Sequence, residues 1–308
     1  MVSKKEVGES AVNLGRRTIL GLALIIILAA GAYLVNTYVI EPYRNHENNV
    51  DTSVTDESNT ETTKNDDSEE GIQAKYTALL NINKDFVGKL YIEAIEETGY
   101  NIVQCEDNDK YLTTGFKGET TRYGTLFVDF RNDVKDFNTN TIIYGHNMRD
   151  GSQLGSLSVY SKLENYKANP TLDFNTIYKN NKWKVFAAFI INSNEAQDNG
   201  YAFPYRTINF PSEEKFIEFI DDVKSRSYFI NDSVEVKPGD KILTLSTCDT
   251  VFSEARFVVM ARLIRDGESE EVDVSEAHEN ENQRFPQAWY NAKGKSNPFK
   301  NADNFTLN

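Results

Sequence analysis

The residues best suited to covalent chemistry are a cysteine and a histidine, each near the end of an apolar, strand-like segment. Cys248 ends the segment KILTLSTC, and His146 follows the segment NTIIYG. A free thiol has a pKa of about 8.5 and is only slightly ionised at neutral pH, so a nucleophilic cysteine needs a base such as an imidazole nearby. The thiolate can attack a carbonyl carbon, and the imidazolium can protonate the amine that leaves. The pair therefore predicts acyl transfer, provided that the fold brings the two side chains together.

Alternation along the segment that ends at Cys248 predicts where its thiol points. Successive side chains of a β-strand face opposite sides, so Leu243 and Leu245 share one face and Ser246 and Cys248 share the other. The leucine face is the core face, and the thiol then opens toward a cleft. Two other interpretations stay open: a free cysteine buried in the core and a disulfide with Cys105, the other cysteine of the chain.

Elimination singles out His146 among the three histidines. His46 lies in a polar, acidic segment, and His278 lies in an acidic stretch near the end of the chain. Strand alternation places Ile142, Tyr144 and His146 on one face. A histidine at a strand end can also be purely structural, and that alternative stays open.

Arg256 begins the segment RFVVMARLI and shares a strand face with Val258 and Met260. A guanidinium on an otherwise apolar face is costly unless an anion needs it. The oxyanion that forms when a thiolate attacks a carbonyl is such an anion. Alternatively, the side chain extends from the strand end to solvent.

The N-terminal region has the pattern of a membrane anchor. Residues 1–17 carry four basic side chains, and residues 18–40 carry no charge. At about 1.5 Å per residue, this stretch is long enough as a helix to cross a bilayer. The uncharged run continues past the small residues at 29–32, which favours an uncleaved anchor over a cleaved signal peptide. The basic residues before the span predict a cytoplasmic N-terminus and an extracellular remainder.

The rest of the chain divides into three parts. Residues 41–71 are acidic and poor in bulky apolar side chains, which predicts a flexible tether. Residues 72–265 form the folded domain, and residues 266–308 form an acidic and then aromatic C-terminal extension. The net charge of −14 argues against binding to nucleic acid or to an anionic membrane surface.

The folded domain is mainly β. Runs rich in β-branched and aromatic residues, separated by turn residues, predict six strands, at 87–93, 125–130, 139–144, 183–192, 241–247 and 256–264. Helices are predicted at 156–165 and, more strongly, at 212–226, where Ser212 is the N-cap and four apolar residues share one face. The pattern predicts a closed or nearly closed antiparallel barrel with peripheral helices.

Several motifs together resemble class B sortases. They are TLSTC at 244–248, RFVVMARL at 256–263, YGHNM at 144–148 followed by RDGSQLGSL, DNDKYLTTGFKGE at 107–119 and GTLFVDFRND at 124–133. The resemblance runs in collinear order over roughly residues 85–265, and the order of anchor, tether and domain agrees with it. It implies a closed eight-stranded β-barrel, with a helix between its sixth and seventh strands at 212–226.

The resemblance also implies a reaction. Cys248 would attack the Thr carbonyl of a surface protein's sorting signal similar to Asn-Pro-x-Thr followed by Asn, Gly or Ser. His146 would transfer protons, and Arg256 would hold the substrate or the oxyanion. The acceptor would be the amine of a peptidoglycan precursor of the lipid II type or of a pilin lysine. No metal or cofactor is implied. The positions that match the substrate groove are Asn108, Leu112, Tyr144, Ser246 and Thr247.

The chain departs from the family at two places. Residues 93–102 (EAIEETGYNI) stand where a Pro-Gly-Thr turn is common, and Cys105 stands where a small residue is common. Two alternative functions remain: a surface cysteine peptidase that releases its product to water, and a non-catalytic anchored binding protein.

Overall fold

The computed structural model describes residues 4–41 and 71–307, which form two compact units, one on each side of the undescribed segment. In the first unit, helix α1 (Lys4–Val35) continues as a π-helix (Asn36–Ile40). Its stretch Ile19–Ile40 is long and apolar enough to cross a membrane by length and composition. Most of the predicted tether, including His46, lies outside the described residues.

The second unit is built on a closed barrel of eight strands. Its strands and those of a separate two-stranded sheet are β1 (Phe86–Ile92), β2 (Glu96–Val103), β3 (Leu126–Val128), β4 (Asn140–Tyr144), β5 (Thr171–Thr176), β6 (Lys182–Asn192), β7 (Phe229–Ile230), β8 (Ile242–Cys248), β9 (Ala255–Leu263) and β10 (His278–Glu279). Around the barrel the order is β1-β2-β3-β4-β8-β9-β6-β5, and β7 pairs with β10. The predicted closed eight-stranded barrel is confirmed.

Two strand pairings differ from the predicted antiparallel barrel. Strand β2 pairs with β3 in parallel, and β4 pairs with β8 in parallel. A parallel pair needs a long connection that returns the chain to the starting edge of the sheet. Both of these pairs have such a connection. The parallel β4–β8 pair makes the C-terminal ends of both strands emerge at the same edge of the barrel, which matters for the site described below.

All six predicted strands are present, and four others were missed: β2 and β5 of the barrel and the two-residue strands β7 and β10. Strand β2 lies in the segment that departs from the family, and it contains Gly99 at φ +76°, where the ring of Tyr91 fills the space of a Cβ. A glycine in that conformation interrupts the alternation by which strands are recognised. Strand β5 is the polar sequence TLDFNT, in which only Leu172 and Phe174 are bulky and apolar.

Helices lie outside the barrel, at α2 (Thr77–Ile82), α3 (Leu163–Ala168), α4 (Glu213–Arg226) and α5 (Gln287–Lys293). The prediction for α4 is confirmed: the Ser212 hydroxyl accepts a hydrogen bond from the backbone N–H of Lys215, as an N-cap does. Its apolar face is buried, with Phe219 and Val223 fully covered. The helix lies between β6 and β8, the sixth and seventh strands of the barrel.

The helix predicted at 156–165 is wrong in its extent. A 3-10 helix (Leu157–Ser161) precedes Lys162, which is extended at φ −106° and ψ 125°, and α3 begins only after it. Leu157 and Tyr160 are both fully buried. Because side chains three residues apart stack on one another in a 3-10 helix, this geometry turns both toward the core.

Two hydrophobic layers enclose β8 and β9. Inside the barrel, Leu243 and Leu245 pack with residues of the surrounding strands. Outside it, α4 and the segment 201–210 cover the opposite face, on which Val258 and Met260 lie. Burying a side chain of this size stabilises the fold by about 1.5–3 kcal/mol. Both faces of β8 are therefore fixed by packing, and the strand becomes exposed only at its last residue, Cys248.

The C-terminal extension packs on this second unit. Strand β10 pairs with β7, and the Arg284 guanidinium contacts the carboxylate of Asp222 on α4 at 3.0 Å. Further on, the ring of Phe305 packs against that of Phe219, with ring centroids 5.5 Å apart. His278 lies exposed in β10.

Candidate active site

Three strands bring the candidate catalytic residues to one edge of the barrel. In the parallel β4–β8 pair Tyr144 lies beside Ser246, and the N–H of Gly145 donates to the Ser246 carbonyl at 3.2 Å. His146 lies two residues beyond Tyr144, and Cys248 lies two residues beyond Ser246. Across the antiparallel β8–β9 pair, Cys248 lies directly opposite Arg256. The structure therefore places the three residues on adjoining strand ends.

Alternation puts these side chains on the outer face of the barrel. Leu245 and Ile143 belong to the interior core, so their neighbours Ser246 and Tyr144 face outward. On β9, Arg256 shares its face with Val258 and Met260, which pack in the outer layer. The core face predicted for β8 is confirmed, and Ser246 and Cys248 lie on the opposite face.

The Cys248 thiol is free and exposed, so neither the disulfide nor the buried cysteine occurs. Cys105 is also free and is half-buried after β2, where its thiol lies 3.4 Å from the carbonyl oxygen of Asp107. Burial is the largest influence on the Cys105 thiol and raises its pKa. A raised pKa leaves less reactive thiolate at Cys105. The exposed thiol of Cys248 is the more accessible nucleophile.

The imidazole of His146 is oriented by a backbone carbonyl. Its Nε2 lies 2.7 Å from the carbonyl oxygen of Leu112, at the end of a 3-10 helix (Lys110–Leu112). A carbonyl oxygen can only accept a hydrogen bond, so Nε2 carries the proton and Nδ1 is the free nitrogen of the neutral ring. Catalytic bases are commonly oriented by such a third group.

Asn147 links the histidine segment to the cysteine strand, and sequence reasoning missed it. Its side-chain Nδ2 donates to the carbonyl oxygen of Cys248 at 2.7 Å. The segment after it folds back through a bridge between Asn147 and Gln153, and the N–H of Leu154 donates to the His146 carbonyl. Gln153 is buried at φ +57°, a conformation that is uncommon for a residue other than glycine. The sequence signal that could have identified Asn147 is its position directly after His146 in YGHNM.

The guanidinium of Arg256 is partly exposed, at 27% of its side chain, and only loosely paired. It donates to the carbonyl of Ala255 at 3.0 Å and lies 3.5 Å from the exposed carboxylate of Glu254. Exposed ion pairs of this kind contribute little. Most of the donors of Arg256 therefore remain able to bind an oxyanion or a peptide carbonyl that approaches Cys248.

Two tyrosines, the half-buried Tyr144 and the buried Tyr205, form the floor beside these residues. The hydroxyl of Tyr144 donates to Asp129 at 2.9 Å, and the hydroxyl of Tyr205 lies 3.0 Å from the Ser246 hydroxyl. Burial, more than any other cause, raises the pKa of both phenols, so both stay neutral donors. Burial opposes ionisation of Asp129, but hydrogen bonds from Arg131 and Tyr144 outweigh it and lower its pKa. Tyr205 was also missed, because its segment carries no recognisable motif.

The other sequence-predicted residues divide into two groups. Asn108 accepts a hydrogen bond from the N–H of Phe130 at 3.1 Å and lines a groove, and the Leu112 side chain is exposed next to the His146 contact. Thr247 lies apart from them. Its side chain is buried on the barrel-interior face together with Leu245, so the structure does not bring it to the site.

This arrangement suits acyl transfer. An exposed thiol, an imidazole with a fixed tautomer and a loosely paired guanidinium converge at one strand edge, beside neutral phenols. A carbonyl carbon placed at Cys248 would have a nucleophile, a proton donor and a cation for its developing negative charge.

Comparisons with known proteins agree with this chemistry. The chain matches a family model described as a sortase domain over residues 90–264. It is 33% identical over 199 residues to Sortase B of Staphylococcus aureus (strain NCTC 8325 / PS 47), covering 64% of this chain and 78% of that protein. Its fold is similar to that of sortase B from B. anthracis in complex with AAEK1, with a TM-score of 0.61 and 31% identity over 73% of this chain and 99% of the other. A Staphylococcus aureus sortase B–substrate complex matches with a TM-score of 0.56 and 33% identity, over 64% of this chain and 87% of the other.

Proposed function

Because this chain belongs to the sortase family of cysteine transpeptidases, and within it to class B, we propose that Cys248 is its nucleophile, His146 its general acid and base, and Arg256 its oxyanion-stabilising cation. The observation that supports this assignment most directly is the pairing of Cys248 with Arg256 across β8 and β9, next to the strand end that carries His146. The reaction then has two halves, acylation and transfer.

In acylation, the Cys248 thiolate attacks the carbonyl carbon of the Thr in the sorting signal. The carbonyl electrons move to oxygen, and the resulting oxyanion is stabilised by Arg256. A single well-placed donor of this kind lowers the barrier by about 3–4 kcal/mol. When the oxyanion collapses, the amide bond after Thr breaks, and the imidazolium of His146 gives its proton to the leaving amine. A thioester on Cys248 and a neutral His146 remain.

In transfer, neutral His146 removes a proton from the incoming amine as it attacks the thioester. A new amide bond forms, the carbon–sulfur bond breaks, and the thiolate–imidazolium pair is regenerated. Because Nε2 is committed to the Leu112 carbonyl, Nδ1 is the atom that gives and takes this proton. We propose that the acceptor is the amine of a peptidoglycan precursor or of a pilin lysine.

The proposed substrate is a surface protein with a signal similar to Asn-Pro-x-Thr followed by Asn, Gly or Ser. Asn108, Leu112, Tyr144 and Ser246 are the proposed substrate contacts. Tyr144 and Ser246 lie on the outer face that leads to Cys248, Leu112 contacts His146, and Asn108 lines a groove together with Asp129, the hydrogen-bond partner of Tyr144. Thr247 is left out of this set, because its side chain faces the barrel interior.

The proposed location is the outer surface of the cell membrane. The apolar helix at Ile19–Ile40 would anchor the chain, with the basic residues before it on the cytoplasmic side and the barrel outside.

A fluorogenic Asn-Pro-x-Thr-type peptide, incubated with the full chain with and without a primary amine, tests this function. We expect cleavage after Thr and incorporation of the amine into the product. A product that always carries a free carboxylate would instead identify a peptidase. Cleavage that survives Cys248→Ala would contradict both enzymatic functions.

A further inference from the structure

A groove of about 910 Å³ has Asp129 among its lining residues. The hydroxyl of Tyr144 donates a hydrogen bond to this carboxylate, so the groove begins one contact away from Tyr144. Its walls come from distant parts of the chain, namely Asn108, Arg131, Arg206, Ile208, Asn209 and Leu307. None of these side chains takes part in the chemistry described above, although Asn108 is a proposed substrate contact.

Strand register gives the distance between this groove and Cys248. The N–H of Asp129 donates to the carbonyl of Ile142, and Ile142 lies beside Thr244 in the β4–β8 pair. Thr244 is four residues before Cys248, which corresponds to about 13 Å at 3.3 Å per residue. An extended peptide whose Thr carbonyl lies at Cys248 covers the same distance in about four residues. For a peptide whose N-terminal end points toward Asp129, the groove is therefore level with the residues just before a four-residue motif.

The groove carries an uncompensated positive charge. Arg131 is neutralised by two hydrogen bonds to Asp129. Arg206 is exposed, and among residues 4–41 and 71–307 no carboxylate lies within ion-pair distance of its guanidinium. The guanidinium lies 5.9 Å from the centre of the Tyr205 ring. In a chain of net charge −14, this local positive charge favours an acidic ligand.

The C-terminal extension supplies the apolar wall. Phe305 is buried between Phe203 and Phe219, and its carbonyl accepts a hydrogen bond from Tyr201 at 3.1 Å. This anchor holds Leu307, two residues later, at the groove with 37% of its surface exposed.

We propose that this groove binds the residues immediately before the four-residue sorting motif and favours an acidic side chain there. Arg206 pairs with its carboxylate, and Leu307 packs against the aliphatic part of the same segment. The inference rests on the proposed function, and part of the proposal is that the peptide runs with its N-terminal end toward the groove. It makes the C-terminal extension a determinant of substrate choice.

Two fluorogenic peptides with the same motif test the proposal, one with Glu and one with Lys at the position directly before the motif. The readout is the ratio of their kcat/KM values with the full chain. An exposed ion pair contributes about 0.2–1 kcal/mol, so the ratio should favour the Glu peptide by about 1.4–5-fold and fall with added salt. Arg206→Glu should reverse the preference, and Leu307→Asp should reduce it. Lys179→Glu makes the same charge change on an exposed turn between β5 and β6 and should keep the wild-type ratio.

An Arg206→Glu ratio equal to the wild-type ratio overturns the proposal. So does a shift of equal size in Lys179→Glu, which would reveal a general charge effect. If the wild-type chain cleaves neither peptide, the proposed function is what fails. Fluorescence anisotropy of the same labelled peptides with Cys248→Ala then decides the groove separately: tighter binding of the Glu peptide supports it, and equal binding overturns it.

Discussion

Cys248 lies directly opposite Arg256 at one end of a continuous run of seven cross-strand pairs between β8 and β9. The pair at the other end is Ile242 and Arg262. Side chains directly opposite in such a ladder lie on the same face, with Cβ atoms about 4.5–5.5 Å apart. The outer packing layer fixes the register of both strands. The separation of the two Cβ atoms is therefore set by the β-sheet and not by loops.

Arg256→Lys should reduce kcat/KM severely, by about 10²-fold or more. An ammonium cannot reproduce the planar fork of donors of a guanidinium, and loss of one oxyanion donor lowers the rate by about this factor. Peptide cleavage and thermal unfolding measured together separate catalysis from stability. Glu254→Gln, which removes the loose partner of Arg256, is the matched control and should stay within about 2-fold. Near-wild-type activity of Arg256→Lys would argue against its assigned role.

Asn147→Ala should lower kcat by about 3–10-fold with little change in KM, because it removes the hydrogen bond that holds the histidine segment to Cys248. A lost hydrogen bond costs about 0.5–1.5 kcal/mol. Asn147→Asp should be worse, since its carboxylate would face the Cys248 carbonyl as a second acceptor. The rate of Cys248 alkylation by iodoacetamide at a fixed pH should also change in both variants. Loss of thermal stability alone, with kcat and the alkylation rate unaltered, would identify Asn147 as merely structural.

The neutral ring of His146 should be the Nε2–H tautomer. Nitrogen-15 NMR of histidine-labelled protein distinguishes the protonated from the unprotonated ring nitrogen, and His146→Gln assigns the signals. Because the Leu112 carbonyl can only accept, a ring with its proton on Nδ1 would show that this contact is absent in solution. His278, which is exposed in β10, serves as the reference signal within the same sample.

At the Arg262 end of the ladder, an ion pair should make stability depend on pH. Arg262 is 1% exposed and binds Glu268, which is 24% exposed and also contacts Lys184. The hydrogen bond from Arg262 is the largest influence on Glu268 and lowers its pKa below the value of about 4.3 in an unfolded chain. The stabilisation is therefore complete above the unfolded pKa and is lost as pH falls through the folded one.

Glu268→Gln should cost about 2–4 kcal/mol of unfolding free energy at pH 7, discounted from the usual cost of breaking a buried pair because Glu268 is partly exposed. The difference from wild type should shrink toward pH 3. Urea unfolding of both proteins at the two pH values measures this. Glu270→Gln, which breaks the exposed contact with Lys182, should cost less than about 1 kcal/mol. A constant difference at both pH values would mean that Glu268 does not titrate as expected.

Local pattern predicted much of this site and none of its long-range contacts. Alternation of leucines identified the site face of β8, and capping with apolar spacing identified α4, because both signals lie within one element. The parallel pairing of β4 with β8 joins residues about a hundred positions apart, so no local pattern could reveal it. Tyr205 and Asn147 gain their importance from contacts with Ser246 and Cys248 that exist only in the folded chain. Thr247 was predicted as a substrate contact from a motif match. Strand alternation already placed its side chain on the same face as Leu243 and Leu245, which is the core face.

The central claim is that Cys248 carries the acyl group between substrate and amine. Intact-protein mass spectrometry of the full chain, mixed with a sorting-signal peptide and sampled before and after addition of a primary amine, tests it directly. We predict an added mass equal to the peptide up to its Thr, located on Cys248 by peptide mapping. This mass should be present in Cys105→Ala, absent in Cys248→Ala, and discharged as an amide product when the amine arrives. An adduct on another residue, or cleavage with no acyl-enzyme and only a hydrolysed product in the presence of amine, would contradict the account.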